Sequence, residues 1–263
     1  MPELPEVETI VSGLNKTCLC RKIKKVRVSC PALASPRGGL SALAGDSFVS
    51  ISRHGKYIKI TTRRGARLVV HLRMTGQLFL AENYQPDKHV HIILELANMA
   101  AKMYYRDIRK FGRWQIVPPR KNFADYINAG TDALAVTPRE FRALCRRYAD
   151  KALKVFLLDQ TILAGVGNIY ADETAFYLGV DPHTPVNRLA PEKLLKAVTA
   201  VLRLGIKNKG ASVSDYITST GARGNFQNLL NVYKQKNCRR CGTPIRRVKL
   251  AGRTTHICPK CQK

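Results

Sequence analysis

Acidic side chains are scarce in this sequence of 263 residues, which has 18 aspartates and glutamates against 45 lysines and arginines, a net charge of +27. This excess of positive charge is hard to reconcile with a small neutral substrate and is typical of a protein that binds a polyanion. Residues 234–263 alone hold ten basic side chains and no acidic one. Solvated charge that only keeps the chain soluble is the alternative interpretation.

The sequence also lacks an apolar run long enough to span a membrane, and we expect no secretory signal peptide. Nucleic acid is therefore a better candidate for the polyanion than a membrane surface. Internal repeats and low-complexity tracts are absent as well. With 45% apolar residues the chain can bury one large or two modest cores, and we expect two domains.

The eight cysteines form two unlike groups. Four have irregular spacing, and we expect them to be free thiols in a reducing compartment: Cys18, Cys20, Cys30 and Cys145. The other four form two C-x2-C pairs with 16 residues between them: Cys238, Cys241, Cys258 and Cys261. This spacing predicts a structural zinc ion held by four thiolates on a two-hairpin ribbon. A disulfide is the alternative, which an intracellular basic chain disfavours.

The periodicity of apolar residues changes near residue 118. Before it, after a first helix at about 5–15, short segments rich in β-branched residues predict an antiparallel sandwich or barrel. These segments begin at Lys24, Tyr57, Arg67, His89 and Arg113. Pro118-Pro119-Arg120-Lys121 marks a linker. Beyond it, a capping box at 137–140 starts a helix that ends near Tyr148, and helical patterns follow at about 151–159, 167–178 and 191–207.

The first residues, Met1-Pro2-Glu3-Leu4-Pro5-Glu6, combine a potential nucleophile with a neighbouring acid. If Met1 is removed, Pro2 becomes a secondary amine that can attack a sugar aldehyde carbon to form an iminium. An α-amino group titrates near pH ~7.7 to 8.0, so a useful fraction is neutral at physiological pH. Glu3 follows where a proton must be moved. Alternatively, the prolines only stiffen the terminus and the start of a helix.

This opening resembles the start of the formamidopyrimidine-DNA glycosylase family, and further stretches match the family in the right order. Among them are His71-Leu-Arg-Met-Thr-Gly76, Asp107-Ile-Arg-Lys-Phe-Gly112 and Gly165-Val-Gly-Asn-Ile-Tyr170. The resemblance implies an α+β multidomain fold: an N-terminal β-sandwich with an N-terminal helix, then a helix-two-turn-helix domain ending in a four-cysteine zinc finger. We expect the catalytic domain at 1–118, a linker at 119–135, the helical domain at 136–233 and the zinc finger at 234–263.

The resemblance also implies an activity. It is that of a bifunctional DNA glycosylase and AP lyase of base-excision repair, which removes oxidised purines such as 8-oxoguanine and formamidopyrimidines. A Schiff base at Pro2 and strand cleavage by β,δ-elimination would carry the reaction. The implied partner is damaged double-stranded DNA, bound by a cytoplasmic, DNA-associated monomer. One structural Zn²⁺ is expected, without a redox or organic cofactor.

Residue roles follow from the matched motifs. The family pattern implies catalytic roles for Pro2, Glu3 and Lys56, with Glu6 supporting the terminus by hydrogen bonding. It implies DNA contacts for His89, Arg109, Asn168 and Arg253, and filling of the vacated base stack by Met74, Arg109 and Phe111. The stretch Ser219–Gln227 resembles by position the loop that covers the extruded purine.

Residue types alone would favour other interpretations for several of these side chains. Lys56 would be a surface lysine, Asn168 an ordinary helix cap, and Met74 and Phe111 core residues, while His91 beside His89 would be packed. By contrast, Gly165 and Gly167 before Asn168 predict, from residue types alone, a helix N-terminus that favours an anion such as a DNA phosphate.

The chain departs from the family pattern at three places. Arg73 replaces the glycine of HLGMTG, Ile108 replaces the proline of DPRRFG, and Gly130-Thr-Asp-Ala-Leu134 stands where a Gly-Pro-Glu-Pro-Leu-like segment is usual. These changes bear on opposite-base preference more than on activity. Two alternatives stay open: an endonuclease VIII type enzyme that favours oxidised pyrimidines, and a non-catalytic DNA-binding or zinc-ribbon protein.

Overall fold

A computed structural model describes residues 1–36, 38–118 and 120–263. The predicted linker begins at Pro119, which lies outside the described residues. The chain packs into two units, Met1–Asn128 with Asn208–Asn225, and Ala129–Lys207 with Phe226–Lys263. The domain boundaries derived from the sequence stay a prediction. In the part of the chain that is described, no helix is both long and apolar enough to cross a membrane.

The described residues form five α-helices. They are α1 (Leu4–Cys18), α2 (Pro138–Arg147), α3 (Leu153–Leu158), α4 (Asn168–Leu178) and α5 (Pro191–Lys207). Each coincides with a segment for which the sequence predicts a helix. At the start of α2 the predicted capping box is present, because Thr137 Oγ1 accepts from Glu140 N at 3.2 Å and Thr137 N donates to Glu140 Oε2 at 2.9 Å.

The strands number thirteen in the same residues. Those of the first unit are β1 (Ile23–Val28), β2 (Ala34–Ser35), β3 (Phe48–His54), β4 (Tyr57–Thr62), β5 (Arg67–His71), β6 (Gly76–Ala81), β7 (Val90–Leu96), β8 (Lys102–Asp107) and β9 (Arg113–Val117). Those of the second unit are β10 (Thr131–Asp132), β11 (Leu163–Ala164), β12 (Arg246–Leu250) and β13 (Arg253–Ile257).

The first unit is a β-sandwich with α1 packed into its core. One sheet has the order β2-β9-β5-β4-β3 and the other the order β1-β7-β8-β6. Buried side chains from both sheets, such as Val70 and Ile92, share one cluster with Ile10 and Leu14 of α1. The predicted sandwich with its N-terminal helix is confirmed. Its pairing is antiparallel except for the two-residue strand β2, which runs parallel to β9.

Strands β6 and β8 have no counterpart among the predicted segments. Their central residues, Leu78-Phe79-Leu80 and Met103-Tyr104-Tyr105, are buried on both faces. Phe79 and Tyr104 pack in a second cluster on the outer face, which Ile217 from the segment 208–225 helps to cover. With both faces covered, the alternation that marks a half-buried strand is lost.

The second unit is built around α4, whose residues Ile169–Phe176 are all buried. The described contacts of α4 include α3, α5 and strand β13. Strands β12 and β13 form an antiparallel hairpin between the two cysteine pairs. Phe176 and Val232 pack against the cysteines in a small apolar cluster. The second unit therefore ends in the predicted four-cysteine ribbon.

Candidate functional site

The first turn of α1 holds the acidic residues next to Pro2 in a fixed arrangement. Pro2, Glu3 and Glu6 are buried, whereas Met1 is exposed. Glu3 is the N-cap residue of α1, and its backbone N–H donates to Glu6 Oε2 at 2.8 Å. Glu6 thus accepts a hydrogen bond from the residue that follows Pro2, and its role in supporting the terminus stays a prediction. The other carboxylate oxygen of Glu6 accepts from Ala211 N at 2.7 Å.

Lys56 lies at the turn between β3 and β4 and is 5% exposed, so the interpretation as a surface lysine is wrong. It lies close enough to His71, at the end of β5, to influence its charge. Burial, followed by the positive charges of Arg73 and Lys56, lowers the pKa of His71 to about 3. His71 Nδ1 accepts from Arg73 N at 2.9 Å, which leaves the proton of the neutral ring on Nε2.

His71 is a functional candidate that the motif analysis did not single out. A histidine in an apolar strand is more often a packing residue, and the ring does meet Tyr57 edge to face at 4.5 Å. Its position follows from strand register, which the sequence alone does not show: β4 and β5 pair so that Tyr57 lies opposite His71, which brings the histidine beside Lys56.

Met74, Arg109 and Phe111 come together on two turns of the first unit. Met74 and Phe111 are 42% and 45% exposed, so their assignment to the core is wrong. Arg109 Nη1 lies 3.2 Å from Met74 Sδ, and the Arg109 guanidinium lies 4.5 Å from the centre of the Phe111 ring. The arrangement presents two apolar side chains and one cation at the surface.

Asp107 connects these two turns, and it is fully buried. Its Oδ1 accepts from Thr75 Oγ1 at 2.5 Å and from Arg109 N at 3.2 Å. Its Oδ2 accepts from Gly112 N at 2.8 Å and from Tyr105 OH at 3.1 Å. Burial, then the neighbouring carboxylate, raises the pKa of Tyr105 above its ordinary value. Asp107 therefore fixes the turn after Met74 to the turn that carries Arg109.

The two histidines of the Lys-His-x-His run have different environments. His89 is half-buried, and its carbonyl accepts from Asp107 N at 2.9 Å. His91 is 4% exposed, and its Nε2 lies 3.0 Å from the Asp107 carbonyl oxygen. The structure thus places His91 as a packed residue and leaves the His89 side chain partly accessible.

Two of the departures from the family pattern lie on these turns. Arg73 has a φ of 55°, in the left-handed region where glycine carries no steric cost. This explains why a glycine suits the position before Met74. Ile108 is 41% exposed and precedes Arg109 directly. Gly130 lies in the second unit, where a β-carbon would overlap the carbonyl oxygens of Thr161 and Ile162.

In the second unit, Asn168 and Arg253 line one polar cavity of about 610 Å³. Asn168 begins α4, where the positive end of the helix dipole favours an anion, and its Nδ2 donates to the Thr254 carbonyl at 2.9 Å. Lys234 and Arg247 also line the cavity, so three of its side chains are cationic. A phosphate group fits this combination of charges and donors.

A buried ion pair that the sequence analysis missed holds the walls of this cavity. Lys154 of α3 and Asp172 of α4 are both fully buried, with Nζ and Oδ1 2.6 Å apart. Lys154 also donates to Thr255 Oγ1 at 2.8 Å, and Asp172 Oδ2 accepts from His256 N at 3.0 Å. The pair thereby ties α3 and α4 to β13, the strand that begins at Arg253. A lysine within the apolar run Leu153–Leu158 was the available signal.

The four cysteines of the ribbon form the predicted metal site. The Sγ atoms of Cys238, Cys241, Cys258 and Cys261 all lie within 4.8 Å of one another. Cys241 and Cys258 are 3.5 Å apart, and Cys238 and Cys261 are 3.9 Å apart. Tetrahedral zinc with Zn–S bonds of about 2.3 Å separates its sulfurs by about 3.8 Å, so the site fits structural zinc. The cysteines at 18, 20, 30 and 145 are free thiols.

Three family models match successive parts of the chain. They are the formamidopyrimidine-DNA glycosylase N-terminal domain over residues 1–114, its H2TH domain over 130–216, and a zinc finger found in FPG and IleRS over 236–263. A β-sandwich with an N-terminal helix, an H2TH domain and a zinc finger in this order define a zinc-containing DNA glycosylase of DNA repair.

Full-length relatives are equally consistent. The chain is 40% identical over 277 residues to the formamidopyrimidine-DNA glycosylase of Desulfitobacterium hafniense, with all of both chains covered. It is 38% identical over 282 residues to that of Pelotomaculum thermopropionicum, covering 100% of this chain and 99% of the relative. The chain belongs to the formamidopyrimidine-DNA glycosylase family.

Solved structures resemble the whole chain too. One is a complex of the Lactococcus lactis Fpg with an N7-benzyl-Fapy-dG-containing DNA, at 34% identity and a TM-score of 0.88, with all of both chains covered. Another is a complex of the Lactococcus lactis Fpg with an abasic-site-containing DNA, at 33% identity and a TM-score of 0.88, covering 99% of each chain. The predicted fold class is thereby confirmed.

Proposed function

We propose that this DNA glycosylase is bifunctional, removing oxidised purines from double-stranded DNA and then cleaving the strand as an AP lyase. The observation that carries the proposal is the buried first turn of α1, where Glu3 follows Pro2 and its N–H is held by Glu6. A secondary amine beside a fixed, buried carboxylate is suited to Schiff-base chemistry on a sugar.

In the first step, the neutral Pro2 nitrogen attacks C1′ of the extruded nucleotide while the glycosidic bond breaks and the base leaves as its protonated form. Glu3 relays protons to or from the sugar. Met1 must be removed beforehand, because its acyl group makes the Pro2 nitrogen an amide without a nucleophilic electron pair.

In the second step, the C1′–O4′ bond of the sugar breaks, O4′ takes a proton relayed by Glu3, and an iminium forms between Pro2 and C1′. This iminium makes the C2′ proton acidic. Loss of this proton expels the 3′ phosphate by β-elimination, and a further proton loss expels the 5′ phosphate by δ-elimination. Hydrolysis of the iminium frees Pro2 and leaves a one-nucleotide gap. Lys56 positions a phosphate beside the reacting sugar and stabilises developing negative charge, and the neutral His71 Nε2–H supplies a second donor there.

Extrusion of a nucleotide costs a few kcal/mol and leaves a gap in the base stack. The exposed Met74 and Phe111 side chains are suited to enter that gap, and the Arg109 guanidinium between them can pair with the orphaned base. The hydrogen bonds of Asp107 support this assignment, since they hold both turns in one arrangement before DNA is bound.

His89 in the first unit contacts the DNA backbone, as do Asn168 and Arg253 in the second. The cationic cavity at the N-terminus of α4 and the net charge of +27 support this assignment. The Lactococcus lactis relative, crystallised with N7-benzyl-Fapy-dG-containing DNA and with abasic-site-containing DNA, supports the substrate class. Zinc, held by the four cysteines, keeps the hairpin that bears Arg253 folded.

A comparison of two lesions tests this proposal. Protein of verified N-terminal mass is incubated with duplexes that carry 8-oxoguanine or thymine glycol, and the products are separated by size. The proposal expects faster excision of 8-oxoguanine and product ends that both carry phosphate. Preference for thymine glycol would indicate the endonuclease VIII type instead, and binding without cleavage would indicate a non-catalytic protein.

A further inference from the structure

The segment Asn208–Asn225 forms a closed loop that packs within the first unit. Its ends are joined by a hydrogen bond from Asn225 N to Asn208 O of 2.8 Å. Near its start, Ala211 N donates to Glu6, so this part of the loop is fixed to the first turn of α1. The loop ends inside the Gly-rich stretch 219–227, which by position corresponds to the cover of an extruded purine.

The far side of the loop is fixed at Ser219. Its carbonyl accepts from Leu80 N at 2.7 Å, along the open edge of strand β6. Ser219 is 3% exposed and lies within the turn 218–222, which is closed by a hydrogen bond of 2.8 Å from Thr218 N to the Ala222 carbonyl. The position of this turn therefore depends on where the Ser219 side chain can pack.

Ser219 packs against the backbone of α1 at Gly13, a position that has no side chain. A β-carbon built at Gly13 would overlap Ser219 Oγ and lie 2.9 Å from Ser219 Cβ. Gly13 is in the middle of an α-helix, where glycine is disfavoured relative to alanine because of its greater backbone freedom. Close approach by Ser219, not helix formation, accounts for a glycine at this position.

We propose that Gly13 is a positioning residue for lesion recognition: the surface without a side chain at Gly13 receives Ser219 and so sets the docked position of the loop 208–225. This inference rests on the proposed function. Since Glu6 and Ala211 fix the start of the loop separately, a side chain at position 13 displaces the Ser219 turn while the Pro2–Glu3 turn of α1 keeps its geometry.

The test is a double-mutant cycle of Gly13→Ala and Ser219→Gly, assayed on two duplexes. One duplex carries 8-oxoguanine opposite cytosine, and the other carries a preformed abasic site in the same sequence. Gly13→Ala should slow base excision roughly tenfold or more, since displacing a positioning group by about 1 Å can cost up to about 100-fold. Cleavage at the abasic site, where no base has to be recognised, should change less than about twofold.

In the Ser219→Gly background the same Gly13→Ala change should have less than about twofold effect, because the obstructing side chain is gone. Ser12→Ala, an exposed position on the same helix, is the matched control and should leave both rates unchanged. Amide hydrogen exchange gives a readout without DNA: Leu80 N–H should exchange faster in Gly13→Ala and return to the wild-type rate in the double variant.

Three results would overturn the inference: wild-type excision by Gly13→Ala, equal loss on both duplexes, or an undiminished effect of Gly13→Ala when Ser219 is already glycine. Failure of the proposed function is distinguishable, because the wild-type protein itself would then not excise 8-oxoguanine.

Discussion

Replacing Asp107 by asparagine tests whether one buried carboxylate holds the two turns that carry Met74 and Arg109. Each carboxylate oxygen accepts one backbone N–H, from Arg109 on Oδ1 and from Gly112 on Oδ2. An asparagine has one oxygen and one NH₂ group at these places. In either orientation, one of these two backbone N–H groups faces another donor and loses its bond to the side chain. Arg109 N keeps a second acceptor, Thr75 Oγ1 at 3.2 Å, whereas the Gly112 N–H bond is buried.

The magnitude follows from those contacts. An unsatisfied buried donor costs about 1–3 kcal/mol, and the remaining bonds lose the charge that makes them stronger than neutral ones. The hydroxyls of Thr75 and Tyr105 can reverse their roles, which limits the loss. We therefore expect Asp107→Asn to lower the free energy of unfolding of the first unit by about 2 kcal/mol.

The single tryptophan of the chain provides the assay. Trp114 is buried in the first unit, and its ring meets that of Tyr105 at 5.5 Å. Urea unfolding followed by Trp114 fluorescence therefore reports on the neighbourhood of Asp107. The matched control is Asp87→Asn, which removes a carboxylate 40% exposed and 2.7 Å from Arg106 and should cost about 1 kcal/mol or less. Equal losses in the two variants would refute a special role for Asp107.

Chelation of zinc should lower the affinity for an abasic duplex about tenfold or more, as measured by fluorescence anisotropy. This is the free energy of one charge-assisted contact such as that of Arg253. Unchanged affinity would contradict the role of the metal. Lys154→Met leaves the Asp172 carboxylate buried without the lysine cation and should lower the free energy of unfolding, measured by thermal unfolding, by about 3–5 kcal/mol. The control Lys151→Met breaks a partly exposed ion pair and should lower it by about 1 kcal/mol or less. His71 has a folded-state pKa of about 3, below the unfolded value of 6.5, so its stabilisation is present above pH 6.5 and is lost as the pH falls towards 3. From pH 7 to pH 4 the wild type should therefore lose about 3 kcal/mol more stability than His71→Gln, and parallel pH curves would show that His71 is not held neutral.

The sequence predicted those parts of the fold whose signals are local. Helix α5 matches the predicted range 191–207, and the capping box before α2 is formed by the expected pair, Thr137 and Glu140. Strands β6 and β8 were not predicted, because their outer faces are covered by residues far away in sequence such as Ile217. The alternation of apolar and polar residues indicates a strand with one polar face, so it cannot indicate a strand that is buried on both faces.

The candidate site shows the same division. Met74 and Phe111 could be singled out only through family motifs, since their residue types alone favour a core. Asp107 was not predicted to act as a connector, because an aspartate before a turn is unremarkable in sequence. Its role arises from register: β6 and β8 pair so that Gly76 lies opposite Asp107, which brings the turn after Met74 within reach of the carboxylate. Lys154 and Asp172, 18 residues apart, likewise meet only through helix packing.

Borohydride trapping tests the central claim most directly. Protein shown by mass to lack Met1 is incubated with a duplex carrying 8-oxoguanine opposite cytosine, borohydride is added, and the adduct is digested and mapped. A covalent protein–DNA adduct at Pro2, lost when the terminus is blocked, is the predicted result. An adduct at another residue, or none from correctly processed protein that still binds the duplex, would contradict the Pro2 Schiff-base mechanism.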